Sequence, residues 1–336
     1  MKNELKNVAT IGFFDGVHRG HRYLMERLVA MARADGLASM AITFDRHPRE
    51  VLQSDYQPQM LTTLAQKVRL LRATGVDRVE VLHFTPSMAA LSARDFMGDV
   101  LLGRLGVRKL VIGYDHRFGH NRAEGFDDYV RYGRELGIEV VRNTEMRLNF
   151  KPSDGSLAAD LHISSSTVRR LLSEGSVGTA ALLLDRHHML FGHVAHGFAE
   201  GRKMGFPTAN LDTTGYPLLV PARGVYAVAV KVCDGDAQLD TLDDPRPVTM
   251  DSDNFTTSLA PGWHPAMLNV GHRPTFGGTA TTIEAHLLNF AGDLYGRPVA
   301  VAFFERLRDE RTFSSVEALE GQLREDRSAV ARYFGQ

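Results

Sequence analysis

The sequence predicts an α/β protein with two domains: a doubly wound parallel sheet in the first half, and a small antiparallel β-barrel with a terminal helix in the second. Three observations lead to this prediction. The length of 336 residues favours two domains over one. The first half alternates short apolar runs with helical segments. Near residue 185 this alternation gives way to strands separated by glycine and proline.

Short apolar runs in the first half are suited to buried parallel strands. They lie at Val8–Gly12, Leu37–Phe44, Val79–Phe84, Val107–Gly113 and Ile138–Arg142. Helices between them begin at capping-box pairs, and two such pairs are Thr63 with Gln66 and Ser92 with Asp95. Ligands of such sheets bind beyond the carboxyl ends of the strands, so the functional residues of this half are expected there.

The end of the first domain is marked by two further segments. Residues 151–161 are polar and contain glycine, and we expect them to pack on the first domain. Residues 164–184 predict two short helices that close it, with Gly175 ending the first and Ser176 capping the second. The predicted domains are therefore 1–185 and 186–336.

The second half has the sequence pattern of a β domain. Its strand candidates are Met189–His196, Gly224–Val232, Pro265–Val270, Thr282–Asn289 and Pro298–Glu305. Because parallel βα crossovers are absent from this pattern, a small antiparallel barrel is the best interpretation. The capping-box pair Ser314 and Glu317 predicts a final helix whose apolar stripe is Val316, Leu319, Leu323 and Val330. Residues 234–262 are polar and acidic, which predicts a long surface loop, and we assign no catalytic or binding role to it.

Composition excludes several classes of protein. The formal net charge of -1 gives no field that would attract nucleic acid or an anionic membrane, so neither is expected as a partner. Cys233 is the only cysteine, which excludes an internal disulfide and a cysteine metal cluster. The N-terminus has charged residues where a secretory signal would be apolar, and no run of about 18 apolar residues could span a membrane. We expect a cytoplasmic protein.

The first chemical motif joins the opening strand to a helix. It reads Gly12-Phe13-Phe14-Asp15-Gly16-Val17-His18-Arg19-Gly20-His21. Backbone N–H groups and the dipole at a helix start attract phosphate, and two imidazoles add donors that can follow charge onto phosphate oxygens. Gly16 and Gly20 allow the backbone to approach a ligand closely. The alternative is that His18 and His21 are surface residues of a first turn. The absence of a Gly-Lys-Ser/Thr P-loop from this half disfavours a Walker-type ATPase.

The His-x-Gly-His element after Gly-x-Phe-Asp-Gly resembles the nucleotidylyltransferase superfamily, and the whole chain resembles its bifunctional riboflavin kinase/FMN adenylyltransferase branch. Three further segments resemble that family: Thr43–Pro48, Gly113–Gly119 and Ile163–Arg169. The resemblance implies a Rossmann-like first domain in which FMN attacks the α-phosphorus of ATP and pyrophosphate leaves. His18 and His21 would be catalytic, and ATP and flavin phosphate would be bound by Gly12, Phe14, Asp15, Gly16, Gly20, Asp115, Ser164, Ser165 and Arg169.

Physical chemistry also supports a phosphate-binding role for the segment around Ser164. Serines that cap a helix turn N–H groups and hydroxyls toward an anion, and Arg169 can offer a guanidinium fork to a triphosphate. On its own, an ordinary N-cap followed by a surface arginine would be the simpler interpretation. The family usually has arginine where this chain has Thr167, and Arg169 stays in place.

The second motif reads Gly201-Arg202-Lys203-Met204-Gly205-Phe206-Pro207-Thr208-Ala209-Asn210. Thr208 and Asn210 face the same side of an extended segment, and a hydroxyl and an amide carbonyl are oxygen ligands suited to Mg²⁺ that also holds nucleotide phosphates. Gly201 and Gly205 could form a loop over phosphates. The alternative is a glycine-rich turn with a buried asparagine.

Glu284 lies in the middle of a predicted strand whose alternate face is apolar. A buried carboxylate is costly unless it is paired or used, although a solvated strand glutamate is the commoner case. The resemblance to the riboflavin kinase module decides between them and implies that Glu284 is the general base on the ribityl hydroxyl. It also implies nucleotide binding by Gly201, Lys203, Gly205 and Arg273. Asn289 stands where related chains often have aspartate.

Arg306, Arg308 and Arg311 either contact a ligand or form a solvated charge run, and the sequence favours the solvated run. Taken together, the motifs predict an enzyme that uses ATP and Mg²⁺ to convert riboflavin to FMN and FMN to FAD. Three other functions stay open: a kinase whose first domain is inactive, a flavin-binding regulator without turnover, and a nucleotidyltransferase for another phosphate. The intact motifs of both halves argue against each of them.

Overall fold

A computed structural model describes residues 6–52, 55, 59–114, 116–150, 159–196, 205–248, 258–275 and 278–336. They form two compact units. The first contains the described residues within 1–58, 64–149 and 160–163, and the second contains those within 59–63, 150–159 and 164–336.

A five-stranded parallel sheet forms the centre of the first unit and confirms the predicted α/β fold. Its strands are β1 (Asn7–Ile11), β2 (Ala38–Phe44), β3 (Arg78–Leu82), β4 (Val107–Ile112) and β5 (Glu139–Arg142). Their order is β3-β2-β1-β4-β5 and every neighbouring pair is parallel. The chain order reverses beside β1, so the crevice for ligands lies at the carboxyl ends of β1 and β4.

Helices cover both faces of this sheet. They are α1 (Arg19–Asp35), α2 (Pro48–Leu52), α3 (Leu64–Arg72), α4 (Pro86–Ala89), α5 (Ala93–Asp95) with its π-helical continuation Phe96–Arg104, a 3₁₀ turn at His120–Arg122, and α6 (Phe126–Leu136). As predicted, the Ser92 side chain caps α5 by accepting the Asp95 N–H. The pairing of β6 (Arg147–Phe150) with β7 (Ala159–His162) was not predicted, because residues 151–161 were interpreted as a polar excursion; residues 151–158 lie outside the described residues.

The second unit is built on a closed barrel of six strands. These are β8 (His188–Ala195), β9 (Ala209–Asp212), β10 (Gly224–Val232), β11 (Trp263–Thr275), β12 (Gly278–Leu287) and β13 (Pro298–Arg308), in the order β10-β11-β12-β9-β8-β13. Every neighbouring pair is antiparallel, which confirms the predicted barrel. The short helices α7 (Ser165–Ser173), α8 (Val177–Leu184) and α9 (Asp236–Leu239) and the terminal helix α10 (Val316–Tyr333) belong to the same unit.

Three predictions about this unit need correction. Helix α10 is capped by Ser315, whose hydroxyl accepts the Ala318 N–H, rather than by Ser314. Val316 is 57% exposed and so lies outside the apolar stripe that buries Val330. The described part of residues 234–262 contains α9 and buries Leu239 against the barrel, because the acidic sequence around it concealed a short apolar contact.

Two candidate active sites

The loop that follows β1 is held in an unusual backbone conformation. Phe14, Gly16 and Val17 have φ angles of 53°, 80° and 38°, in a region that residues with a side chain rarely adopt. A Cβ on Gly12 would lie 2.6 Å from the Phe14 ring, so this ring packs where only glycine fits. Strained backbone of this kind persists where the surroundings fix it, and it clusters at functional sites.

His18 and His21 are brought together at the start of α1, as predicted. His18 is the N-cap, and its Nδ1 accepts the His21 backbone N–H at 3.3 Å. The two rings stack with centroids 3.6 Å apart, and His18 is 5% exposed. Because Nδ1 accepts, the proton of a neutral His18 lies on Nε2. The predicted Asp15 is also buried, and a Cβ on Gly20 would approach the His18 ring to 3.2 Å.

The loop after β4 also lies at the carboxyl ends of the parallel strands, and Tyr129 of α6 holds it in place. The Tyr129 hydroxyl accepts the Phe118 N–H at 3.0 Å, and the Phe118 and Glu124 carbonyls, each 3.0 Å away, share its single proton as acceptors. Its ring stacks on Phe118 at 4.2 Å. The predicted ligand Asp115 lies outside the described residues, so its role stays a prediction.

Ser164, Ser165 and Arg169 belong to the second unit. Ser164 caps α7, as predicted, by accepting the Thr167 N–H at 3.1 Å. The Thr167 hydroxyl bonds the Ser164 hydroxyl at 3.0 Å, so Thr167 contributes to the cap. Arg169 donates from Nε to the Gln59 carbonyl at 3.0 Å. Their combination with His18 and His21 into one site stays a prediction.

A cavity of about 370 Å³ opens between the barrel and α10 in the second unit. Its lining is mixed, with seven apolar and eight polar or charged side chains. It comprises Phe206, Thr208, Val225, Met267, Leu268, Asn269, Glu284, His286, Arg308, Glu310, Arg311, Phe313, Leu319, Leu323 and Asp326. A cavity that combines an apolar wall with converging polar groups is a usual form of a small-molecule site, and this one is richer in polar groups than most.

Glu284 lies in a row of polar residues across three strands. It is directly opposite Asn210 of β9 on one side and Asn269 of β11 on the other. Opposed residues of antiparallel strands face the same side of the sheet, and Glu284, Asn269 and Thr208 all line the cavity. The outward, solvated interpretation of Glu284 therefore does not hold. Asn269 was missed because a lone asparagine in a strand gives no signal without its neighbours.

The other predicted residues of this site are only partly described. Gly205 has a φ of 79° and precedes the Thr208 segment. Gly201 and Lys203 lie outside the described residues, and so does the side chain of Arg273. The His286 imidazole donates to the Pro207 carbonyl at 2.9 Å and thereby fixes the segment that carries Thr208; burial lowers the pKa of His286.

Arg308 is not part of a solvated charge run, because it is half-buried and lines the cavity, whereas Arg311 lines the same cavity and is exposed. Arg308 forms a two-pronged ion pair with Asp326 of α10, with Nη2 to Oδ2 at 2.7 Å and Nε to Oδ1 at 3.0 Å. Gln322 donates to the same carboxylate at 2.8 Å. Asp326 was not singled out from the sequence, since an acidic residue on a charged helix is ordinarily solvated.

Comparison with known proteins places both sites in one family. The family model described as FAD synthetase matches residues 1–152, and that for riboflavin kinase matches residues 184–334. Two proteins named bifunctional riboflavin kinase/FMN adenylyltransferase are similar over nearly the full length. The one from Escherichia coli strain K12 is 34% identical and covers 98% of this chain and 93% of its own, and that from Pseudomonas fluorescens is 36% identical, with 96% and 91% covered.

The chain belongs to the bifunctional riboflavin kinase/FMN adenylyltransferase family. It is therefore an enzyme of the transferase class, and the candidate site after β1 lies in the FAD synthetase match while the cavity lies in the riboflavin kinase match. A solved structure described as a macrolide-efflux protein from Streptococcus pneumoniae has a TM-score of 0.76 and 28% identity over 97% of this chain and 94% of its own. Within the described part of the chain, no helix has the length and apolar character needed to cross a membrane.

Proposed function

We propose that the chain phosphorylates riboflavin to FMN in the cavity of the second unit and adenylylates FMN to FAD at the β1–α1 loop of the first, with Mg²⁺-ATP as co-substrate of both steps. We expect the enzyme in the cytoplasm. The observation that supports the proposal is the presence of two separate polar arrangements, the histidine pair at the start of α1 and the row of Asn210, Glu284 and Asn269 across the barrel strands.

The kinase step needs a base and a place for the flavin. The apolar wall of the cavity suits the flavin ring, and the polar row suits the ribityl chain. Glu284 takes the proton of the terminal ribityl hydroxyl as its oxygen attacks the γ-phosphorus of ATP and ADP leaves. Asn269, opposite Glu284, is placed to bond the ribityl chain or the carboxylate and so to orient the attack.

The donors beside Glu284 fit a magnesium ion. Thr208 and Asn210 offer a hydroxyl and an amide oxygen next to a carboxylate, which are hard ligands. These two residues would hold the Mg²⁺ that accompanies ATP, and the ion, when bound, neutralises phosphate charge.

The adenylylation step needs charge stabilisation and no covalent intermediate. A phosphate oxygen of FMN attacks the α-phosphorus of ATP and pyrophosphate leaves. In this proposal the backbone N–H groups at the start of α1 and the His18 imidazole stabilise the charge that develops on the phosphates, which the cap geometry supports. His21, stacked on His18, acts on the same phosphates.

A crossed pair of variants tests the assignment. Incubation of the protein with riboflavin, ATP and Mg²⁺, followed by separation of the flavins, should yield FMN and FAD, and chelation of the metal should stop both. Glu284→Gln keeps the size of the side chain and removes the base. FMN formation should fall about a hundredfold to ten-thousandfold, while FAD formation from supplied FMN continues. The double variant His18→Ala, His21→Ala should do the reverse, with FAD formation falling about a hundredfold or more.

Each variant is the matched control of the other, because a general folding defect would lower both activities. Near-normal kinase turnover in Glu284→Gln would reject its role as the base. Unmodified FMN adenylylation in the double histidine variant would reject the β1–α1 loop as the second site.

A further inference from the structure

A buried cation lies behind the β1–α1 loop and takes no part in the chemistry described above. Lys67, in the middle of α3, is 2% exposed. Its Nζ donates to the carbonyl of Phe44, the last residue of β2, at 2.8 Å. The same nitrogen lies 3.9 Å from the centroid of the Phe13 ring. One ammonium group therefore joins the end of β2 to the loop that follows β1.

Several titratable groups surround this ammonium. Burial lowers the pKa of Lys67 to about 8, while the carboxylates of Asp15 and Asp45 act in the opposite direction. Asp45 is itself bonded to His83 after β3, and the His47 ring meets Phe13 edge-on at 4.8 Å. The ammonium form predominates at pH 7. A buried charge is costly, and an apolar side chain of similar volume would often stabilise the fold as well or better.

We propose that Lys67 is a positioning residue for FMN adenylylation: its ammonium holds the Gly12–Val17 loop against the carboxyl end of β2, so that His18 and His21 meet the phosphates. The inference rests on the assignment of adenylylation to the first unit. Lys67 itself touches no substrate and acts through the loop.

The loop needs such a restraint because it is strained. Phe14 and Val17 have positive φ angles, and a conformation of this kind relaxes when its surroundings release it. Two further ties to β2 are hydrogen bonds of 3.0 Å, from the Gly12 N–H to the Ile42 carbonyl and from the Thr43 hydroxyl to the Phe13 carbonyl, and neither of them holds the Phe13 ring. Only the ammonium form of Lys67 is attracted by the Phe13 ring face and by the two carboxylates, so the uncharged amine would hold the loop less well.

The pH dependence separates positioning from stability. The ammonium is lost as the pH rises through about 8, and adenylylation should decline with it. The titration of Lys67 changes the free energy of unfolding in the direction opposite to its effect on activity. Because the folded pKa lies below that of the unfolded chain, the unfolded state binds more protons above pH 8, and this group stabilises the fold increasingly as the pH rises. A purely structural role would not produce an alkaline decline in activity.

The experiment uses the full-length chain and the variant Lys67→Met, which keeps an unbranched side chain, one atom shorter, and removes the charge. Both activities are measured in one preparation from pH 6.5 to 9.5. At pH 7, kcat/KM for adenylylation should fall about thirtyfold to a hundredfold, mainly through kcat, since small displacements of reacting groups have effects of this size. Riboflavin phosphorylation should be unchanged. The wild type should show the alkaline decline of adenylylation, and the variant should lack it.

Lys109→Met is the matched control. Lys109 lies in the same unit and pairs with Asp35 and Glu139 at the opposite end of the sheet. Its removal should leave adenylylation and its pH profile unchanged.

Two results would overturn the inference: wild-type adenylylation in Lys67→Met, or an alkaline decline that the variant retains. If the variant does not fold, the pH profile of the wild type tests the proposal. A ratio of adenylylation to kinase activity that stays constant up to pH 9.5 would contradict it. The double histidine variant separates this failure from a wrong assignment. Loss of adenylylation there, with normal adenylylation in Lys67→Met, rejects only the role of Lys67.

Discussion

At the scale of single residues, the cavity of the second unit depends on a buried ion pair. From the sequence alone, both of its residues would be expected on the surface. Asp326 is 4% exposed and receives donors from Arg308 and Gln322. Arg308 ends β13 and Asp326 lies on α10, so the pair fixes the helix over the cavity that both residues line. Removal of one partner leaves the other charge buried, which is far costlier than loss of an exposed pair.

Asp326→Asn should therefore lower the free energy of unfolding of the second unit by about 3 kcal/mol. The riboflavin KM of the kinase step should rise more than its kcat falls, since the helix wall of the cavity loosens. Urea unfolding and steady-state kinetics measure both effects. Arg324→Ala is the control, because it breaks an exposed pair with Glu320 on the same helix and should change stability by less than about 0.5 kcal/mol. Equal effects of the two substitutions would contradict the buried role of Asp326.

At the scale of elements, the sequence predicted the strands that bury continuous apolar runs and the helices that carry caps. All five strands of the parallel sheet were predicted within two residues of their observed ends. Strand β9 was not, since its four residues carry Asn210 and Asp212 and are held by their neighbours β8 and β12 rather than by their own propensity. Polar functional residues obscure the alternation that predicts a strand.

The same limit applies to the candidate sites. Glu284, His18 and His21 stand in motifs and could be found from the sequence. Asn269 and Lys67 could not, because their importance comes from what the register of β12 and the packing of α3 place beside them. Residues that act through a neighbour leave no local pattern.

The first residue of β8 gives a test at this scale. His188 is 1% exposed, and its Nε2 donates to the Leu219 carbonyl at 2.7 Å. Burial lowers the pKa of His188 to about 4. Since the unfolded chain takes up a proton near pH 6.5 and the folded chain does not, the stability contributed by neutral His188 is present above pH 6.5 and is lost as the pH falls toward 4.

The loss over that interval should be about 3 kcal/mol. Urea unfolding of the wild type is compared with that of His188→Gln, whose amide can still donate to Leu219 but does not titrate. The difference between the two free energies of unfolding should shrink from pH 7 to pH 4 as the wild type loses stability. Parallel pH profiles would show that His188 does not titrate in this range.

At the scale of the whole molecule, the second unit includes segments that precede its active-site motifs in the sequence, namely α7, α8 and residues 59–63. Helix α8 buries most of its side chains within this unit, and the Ala222 N–H donates to the Leu172 carbonyl of α7 at 2.9 Å. Residues 59–63 also join it, with Met60 bonded through its N–H and carbonyl to Pro217 and Leu219. The family matches end at 152 and begin again at 184, so the functional boundary near 185 stays a prediction.

These contacts predict how fragments behave. A fragment of residues 164–336 should fold, phosphorylate riboflavin and make no FAD. A fragment of 186–336 retains the kinase motifs but exposes the barrel surface that α8 covers, where burial of a leucine contributes about 2 kcal/mol. Its melting temperature should be lower by about 10 °C or more. Thermal unfolding and flavin separation on the two fragments, with the full chain alongside, provide the comparison. Equal melting temperatures would show that α7 and α8 do not stabilise the barrel, whereas FAD synthesis by either fragment would place the adenylylation site outside the first unit.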